Sequence, residues 1–127
     1  MHSLVKKILQ SRSTRLATFA ARTAAEKLGL ETLVIDVGDV IGITDFFVIT
    51  SCNNQRHMQS IRKEIEMKVS EEENLKPIRV EGKESEQWIL MDYGIFIVHI
   101  FDIERRSFYN LERLWLDQPI LDWEKDD

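Results

Sequence analysis

The sequence predicts an α/β (α+β) domain in which a mixed five-stranded sheet carries helices on its faces. The apolar pattern changes along the chain in the order helix, two strands, helix, three strands, helix. The 127 residues, 43% hydrophobic and 31% charged, have the length and composition of one globular domain. No internal repeat and no low-complexity linker divides them.

The first half of the chain predicts two helices on either side of two strands. Ala-rich residues 14–28 favour a helix. Leu33–Ile35 is a short strand, and Phe46–Thr50, which is apolar on both faces, is typical of a central strand. Asn53 or Asn54 can cap the next helix. That helix is predicted from four apolar residues at spacings of three and four: Met58, Ile61, Ile65 and Val69.

The second half predicts a strand, a hairpin and a short helix. Pro77 ends the preceding helix, and a strand begins with Ile78 and Val80 and ends at Glu81-Gly82. Residues 88–91 and 95–101 are strands joined by a tight turn at Asp92–Gly94. The last helix, starting near residues 102–104, is predicted from an apolar stripe: Phe108, Leu111 and Leu114, with Trp115 beside them.

Residues 14–116 form the predicted domain, and we expect both ends to be flexible additions. Residues 1–13 are a basic, partly helical arm, and residues 117–127 are an acidic tail. The acid-free start is also typical of a mitochondrial transit peptide, which leaves bacterial and organellar settings open.

The charge distribution and the cysteine content narrow the class of protein. The net charge is −5, but residues 1–30 carry +5 and the remainder −10. An acidic body argues against broad nucleic-acid affinity and favours a basic protein partner. Cys52 is the only cysteine, so a reducing cytoplasm is the natural setting. The longest uncharged apolar stretch, Tyr93–Phe101, is about half of the roughly 20 residues that a membrane span needs.

Catalytic groupings are weak in this sequence. Asp102 and Glu104, two apart at a strand end, could hold Mg²⁺ in a nucleotidyltransferase, with Asp92 as a third carboxylate. The favoured alternative is that they are acids at a helix N-terminus. A lone histidine in a strand, His99, is more often a hydrogen-bonded core residue than a catalyst. Cys52 is more often a packed side chain than a reactive thiolate.

The five glycines are dispersed, so no phosphate-binding loop is present. We therefore expect no catalytic residue, no metal and no cofactor. An aromatic set is the remaining candidate, and its members suit either a core or an interface hot spot. The set comprises Trp88, Tyr93, Phe101, Tyr109 and Trp115.

Five segments carry a resemblance to a known family. They are Thr44–Ile49 followed by Arg56-His57, then Val80–Gly82, Trp88–Gly94, Val98–Phe101 and Arg106–Trp115. In order and spacing they resemble the Iojap-related ribosomal silencing factors, from about Ala24 to Trp115. The final Leu-Trp pair and the Asp-Tyr-Gly turn make the combination specific.

The resemblance implies the fold of the nucleotidyltransferase superfamily without its catalytic carboxylates. It implies a non-enzymatic protein that binds the L-fourteen protein of the large ribosomal subunit and prevents the small subunit from joining, which represses translation. Organellar relatives assist large-subunit assembly, so a role as an assembly factor is the alternative. The resemblance also implies a homodimer when free and a cytoplasmic setting, with a mitochondrial or plastid matrix as alternative.

Partner contact is expected at motif positions that suit an interface: Trp88, Asp92, Tyr93, His99, Phe101 and Tyr109. Two residues depart from the family pattern. Ile95 stands where aspartate is common, which removes a charge from the hairpin. Cys52 replaces a usual glycine, which argues further against a functional thiol.

Overall fold

The computed structural model of the chain describes the backbone of residues 2–124 and the side chains of residue 4 and residues 11–124. Helices and strands alternate in the order that the sequence predicts, with one extra short helix, α2. The elements are α1 (His2–Glu26), β1 (Leu30–Asp36), α2 (Gly38–Ile41), β2 (Phe46–Cys52), α3 (Gln55–Glu73), β3 (Arg79–Glu81), β4 (Trp88–Asp92), β5 (Phe96–Asp102), α4 (Ile103–Tyr109) and a 3₁₀ helix (Leu111–Trp115).

The five strands form one mixed sheet in the order β1-β2-β5-β4-β3. The central pair, β2 and β5, is parallel, whereas the other neighbours are antiparallel. All seven residues of β2 are buried, as expected for a strand covered on both faces. The predicted α+β class and mixed sheet are confirmed. Kinship with the nucleotidyltransferase superfamily stays a prediction.

Two hydrophobic clusters lie on the two faces of the sheet. The larger joins α1 and α3 to one face, and it includes Met58, Ile61, Ile65 and Val69 of the predicted α3 stripe. Asn54 caps α3 by accepting a hydrogen bond from the His57 amide. The smaller cluster lies on the opposite face under the 3₁₀ helix. None of the helices in the described part of the chain is both long and apolar enough to cross a membrane.

The first and last helices differ from their predicted bounds. The backbone of α1 is helical from His2, so much of the predicted arm belongs to a helix that also packs on the sheet. The last helix breaks at Asn110, which has φ 48°, and continues as a 3₁₀ helix. This break separates Phe108 in α4 from Leu111 and Leu114 in the 3₁₀ helix, so the three residues do not form the one continuous buried stripe that the sequence predicts. Phe108 and Leu114 are exposed by 76% and 74%.

The predicted flexible tail is wrong for residues 118–124, which pack against β1. Ile120 forms a bridge with Ile35, and the Leu121 amide donates to the Val34 carbonyl over 2.9 Å. The Trp123 indole donates to the Thr32 carbonyl over 2.9 Å. This segment pairs with the outer edge of β1 and stops that edge from recruiting another strand. The last three residues of the predicted tail lie outside the described part.

Candidate partner-binding site

The six predicted contact residues do not share one surface. Alternation along β4 and β5 places Trp88, His99 and Phe101 on the sheet face opposite α1 and α3. Tyr109, at the end of α4, lies over the same face. Tyr93 lies in the cluster on the other side. The sheet therefore separates one predicted contact from the rest.

Six rings form what we call the aromatic face: Phe47, Trp88, His99, Phe101, Tyr109 and Trp115. The Trp88 ring lies 4.8 Å from Phe101 and 4.9 Å from Tyr109 between centroids. The Phe47 ring meets His99 edge-on at 4.7 Å and Trp115 at 5.6 Å. Aromatic pairs in these geometries stabilise a face beyond the area that they bury.

His99 is a structural member of this face. The Trp88 indole N–H donates to His99 Nδ1 over 3.1 Å. Burial lowers the pKa of His99 from 6.5 to about 3, because removal from water penalises the imidazolium. The neutral ring therefore carries its proton on Nε2, which has no hydrogen-bond partner among residues 11–124. A proton donor or acceptor for catalysis would need a pKa nearer neutrality.

We expect His99 to make the fold acid-sensitive. Its folded pKa is depressed below the unfolded value, so its contribution to stability is full above about pH 6.5 and is lost as pH falls towards 3. By pH 5 that loss is about 2 kcal/mol. Urea unfolding of wild type and His99→Gln at pH 7 and pH 5 measures it, since the glutamine does not titrate. Equal losses in both proteins would contradict the assignment.

Among the predicted contacts, Trp88, Asp92 and Tyr109 retain exposed surface. The side chains of Trp88 and Tyr109 line an open cleft of about 320 Å³ with Leu90, Gly82 and Gln87. The Tyr109 hydroxyl donates to Gln87 Oε1 over 2.8 Å, which fixes the ring at the rim. A Cβ at Gly82 would lie 2.4 Å from the Trp88 carbonyl, so only glycine permits this approach of the two strands.

Asp92 stabilises the hairpin turn. Its Oδ1 accepts from the Gly94 amide over 2.8 Å, and its Oδ2 lies 3.3 Å from Arg79 Nε. Gly94 has φ +84°, a conformation that glycine adopts without strain. The predicted tight turn at Asp92–Gly94 is confirmed, and both carboxylate oxygens of Asp92 are engaged within the fold.

Tyr93, His99 and Phe101 are buried, with 3%, 4% and 0% of their surface exposed. Side chains in such positions cannot touch a partner that docks on this conformation. Their role is therefore revised from contact to support. Phe101 lies under Trp88 and Tyr109, so it holds the two rings that do reach solvent.

The three carboxylates of the nucleotidyltransferase alternative are not assembled. Asp102 caps α4 by accepting from the Glu104 amide over 3.2 Å, as the helix N-terminal alternative predicts. Asp92 lies at the other end of the β4–β5 hairpin, about 16 Å away along the strands. In the described residues, no three His, Cys, Asp or Glu side chains are grouped to hold a metal ion.

Cys52 is fully buried in the larger cluster. Burial, reinforced by the nearby Asp102 carboxylate, raises the pKa of its thiol to about 11. At neutral pH the side chain is a protonated thiol, which is a poor nucleophile. The position at a strand–helix junction does not activate it.

The sequence predicts no surface role for three apolar side chains that the structure exposes: Phe108, Leu114 and Leu116. Phe108 meets the Tyr109 ring edge-on at 5.4 Å and is 76% exposed. Apolar residues at helical spacing predict a buried stripe, which does not form here. An exposed phenylalanine next to a tyrosine within a family motif segment is typical of an interface.

A family model described as "Ribosomal silencing factor during starvation" matches residues 10–127, which include the cleft and both sheet faces. The chain belongs to the ribosomal silencing factor family. This confirms the family that the five motif segments predict. The name describes a regulator of ribosomes rather than an enzyme.

Relatives and a solved structure agree with this family. The ribosomal silencing factor of Halalkalibacterium halodurans is 33% identical over 109 residues, covering 86% of this chain and 92% of that protein. The mouse protein named mitochondrial assembly of ribosomal large subunit protein 1 is 32% identical over 87 residues, covering 65% and 37%. A crystal structure of a Bacillus halodurans protein is similar with a TM-score of 0.68 at 31% identity, covering 92% and 98%.

Proposed function

We propose that this ribosomal silencing factor binds the L-fourteen protein of the large ribosomal subunit and thereby prevents the small subunit from joining. Binding occurs at the cleft between Trp88 and Tyr109, with the exposed Phe108 beside it. The observation that carries the proposal is this apolar, open cleft within the motif segments of the family. The mouse relative's name, which mentions large-subunit assembly, supports the choice of subunit.

The cleft has the anatomy of an interface centre. Trp88 and Tyr109 are supported from below by buried Phe101, so little side-chain entropy is lost when a partner docks. The cleft, of about 320 Å³, is large enough to accept an apolar side chain of the partner, and Phe108 extends the contact outwards. Hot spots are enriched in tryptophan and tyrosine in such positions.

Charge around the cleft favours a basic partner. Glu81 lines the cleft, and Glu84 and Glu86 are exposed on the segment that forms its rim. Ribosomal proteins that contact RNA are basic, so an acidic rim steers such a partner to the apolar centre. The inhibition itself is steric, and no bond is made or broken.

The size of the chain suffices for this role. Its accessible surface is 7795 Å², so a standard interface of about 800 Å² per partner takes roughly a tenth of it. The rest of the domain then stands on the subunit as an obstacle. Bacterial relatives favour action in the cytoplasm, and the mitochondrial relative supports the matrix as the alternative setting. The homodimer of the free protein also remains a prediction.

The direct test is sedimentation of purified subunits in a sucrose gradient. We expect the protein to sediment with the large subunit and to abolish the joined ribosome when small subunits are added. Normal joining, with the protein left at the top of the gradient, would refute the proposal. Joining that stays normal although the protein is bound would favour the assembly-factor alternative.

We expect the double variant Phe108→Ala/Tyr109→Ala to bind large subunits about thirtyfold more weakly, the loss typical of a hot spot of about 2 kcal/mol. Phe108 is mostly exposed, whereas Tyr109 packs on Trp88 and Phe101, so thermal unfolding must first show that the double variant is folded. The control is Leu28→Ala, which removes an equally exposed leucine (75%) that lines a different depression and not the cleft. Competition with fluorescent wild type measures both affinities. A folded double variant with wild-type affinity would move the interface elsewhere.

A further inference from the structure

A second concave surface, which we call the basic groove, lies between α3 and the segment 76–83. Lys63, Met67 and Ser70 of α3 form one wall, and Lys76 and Lys83 lie on the other. The groove encloses about 650 Å³. Side-chain amides of α3 hold the second wall in place, because Gln59 and Gln55 donate to the backbone carbonyls of Lys83 and Glu84.

The charges of the basic groove are not compensated. Lys63, Lys76 and Lys83 are exposed, and none has a carboxylate within ion-pair distance among the described residues. The lining acid, Glu66, pairs with Arg62 at 3.1 Å. Arg79 at the groove's edge pairs with Glu81 and Asp92. Three free ammonium groups therefore line one hollow of a protein whose net charge is −5.

The groove continues along α3. Arg56 and Lys63 are seven residues apart, hence on one helical face and about 10 Å from each other. Gln59 and Ser60 lie between them and line the same depression. Cations alternating with neutral donors along a line suit a phosphodiester backbone, whose charges also recur along a line.

The basic N-terminal helix is a weaker candidate for the same ligand. Arg15 is paired with Glu72 and Glu73 of α3, and Arg12 lies 3.7 Å from Glu73. These contacts lower the pKa of Glu73, chiefly through the hydrogen bond from Arg15. The described arginines of this helix near α3 are thus neutralised within the fold, whereas the lysines of the groove are not.

We propose that the basic groove binds the phosphate backbone of ribosomal RNA on the large subunit, without reading its sequence. None of the residues that line it is aromatic, so it offers no platform for base stacking. Lysines act as point charges on phosphates and carry no base specificity. The choice of ribosomal RNA rests on the proposed function. The protein would then make two contacts with the large subunit. One is the contact with a protein at the Trp88–Tyr109 cleft, and the other is a salt-sensitive contact with RNA in the groove on the other side of edge strand β3.

The test compares two triple variants of the full chain with equal charge loss. The groove variant, Lys63→Ala/Lys76→Ala/Lys83→Ala, removes the three lysine charges of the groove. The control variant, Arg12→Ala/Lys27→Ala/Lys68→Ala, removes three cations elsewhere. The probe is a fluorescent RNA duplex of arbitrary sequence, titrated at several KCl concentrations. We expect the groove variant to bind at least tenfold more weakly and its slope of log affinity against log salt to become shallower by about 2.7, since each of three lost phosphate contacts accounts for about 0.9. The control should keep the wild-type slope.

Outcomes separate this proposal from the proposed function. The groove proposal would be overturned if wild type does not bind the duplex. It would also be overturned if the control variant loses as much affinity for the duplex as the groove variant does. If wild type binds the duplex through the three lysines yet fails to sediment with large subunits, the groove stands and the proposed function fails. If the groove variant binds both duplex and subunits as wild type does, the groove fails and the proposed function stands.

Discussion

Arg106→Ala should lower the free energy of unfolding by about 3–5 kcal/mol, the cost of breaking a buried ion pair by removing one partner. Arg106 is 3% exposed, and its Nε donates to Glu112 Oε2 over 2.7 Å. Nη1 donates to Ser51 Oγ over 2.9 Å and to the Glu31 carbonyl over 2.5 Å. The variant leaves a carboxylate and these acceptors without their donor.

The position of Arg106 explains the size of this effect. The register of β1 against β2 shifts between Leu30 and Leu33, and Glu31 there has φ 49°. The carbonyls of Leu30 and Glu31 point to the guanidinium of Arg106, which satisfies both. One side chain of α4 thus holds an irregular strand and the 3₁₀ helix together, which only a planar, multi-donor group can do.

Urea unfolding followed by tryptophan fluorescence measures the change. Arg105→Ala is the matched control, because Arg105 is the exposed neighbour and should alter stability by no more than about 0.5 kcal/mol. Arg106→Lys should recover part of the lost stability, since lysine keeps the positive charge but lacks the planar set of N–H donors of the guanidinium. A loss below about 1 kcal/mol in Arg106→Ala would show that the network is not an essential support.

Tyr93→Ala should cost about 3–5 kcal/mol of stability, as expected for an aromatic side chain removed from a core. The Tyr93 ring is stacked on Phe96 at 4.7 Å and 15°, and 3% of the residue is exposed. Burial, with the nearby Glu66 carboxylate, raises the pKa of its hydroxyl. Weaker binding by Tyr93→Ala would therefore reflect lost stability and would not show that Tyr93 contacts the partner.

Tyr93→Phe distinguishes support from contact. The hydroxyl has no hydrogen-bond partner among residues 11–124, so its removal should leave stability unchanged or raise it by about 1 kcal/mol. Affinity for large subunits should also stay at the wild-type value. Thermal unfolding and subunit competition check the two statements. A stable Tyr93→Phe protein with weakened binding would return Tyr93 to the contact surface.

The sequence was sufficient where the signal is local. Phe46–Thr50 is apolar on every residue, so its place in the centre of the sheet follows from the strand alone. The turn at Asp92–Gly94 depends on an aspartate that accepts from its own loop and on a glycine at positive φ. Both features are set by residues that are neighbours in the sequence. The motif segments, which are also local, identify the family.

The sequence was insufficient where exposure depends on distant residues. Phe108 and Tyr93 are both aromatic and both lie in motif segments, but one is 76% exposed and the other 3%. In α4 the buried side chain is Arg106 and Phe108 is left exposed, whereas α1 and α3 cover the sheet face to which Tyr93 belongs. Similarly, residues 118–124 look like a polar tail, although Leu121 and Trp123 bury against the larger cluster.

The sequence by itself determined the order of the main helices and strands, the mixed sheet and the family, because these follow from periodicity, turn residues and motif spacing. Only the tertiary structure decided which aromatic side chains reach solvent, that Arg106 locks the irregular strand, and that three lysines line one groove. The physical reason is that burial and charge compensation are properties of pairs of residues far apart in the chain. A residue's own type and local spacing do not specify which partner will cover or neutralise it.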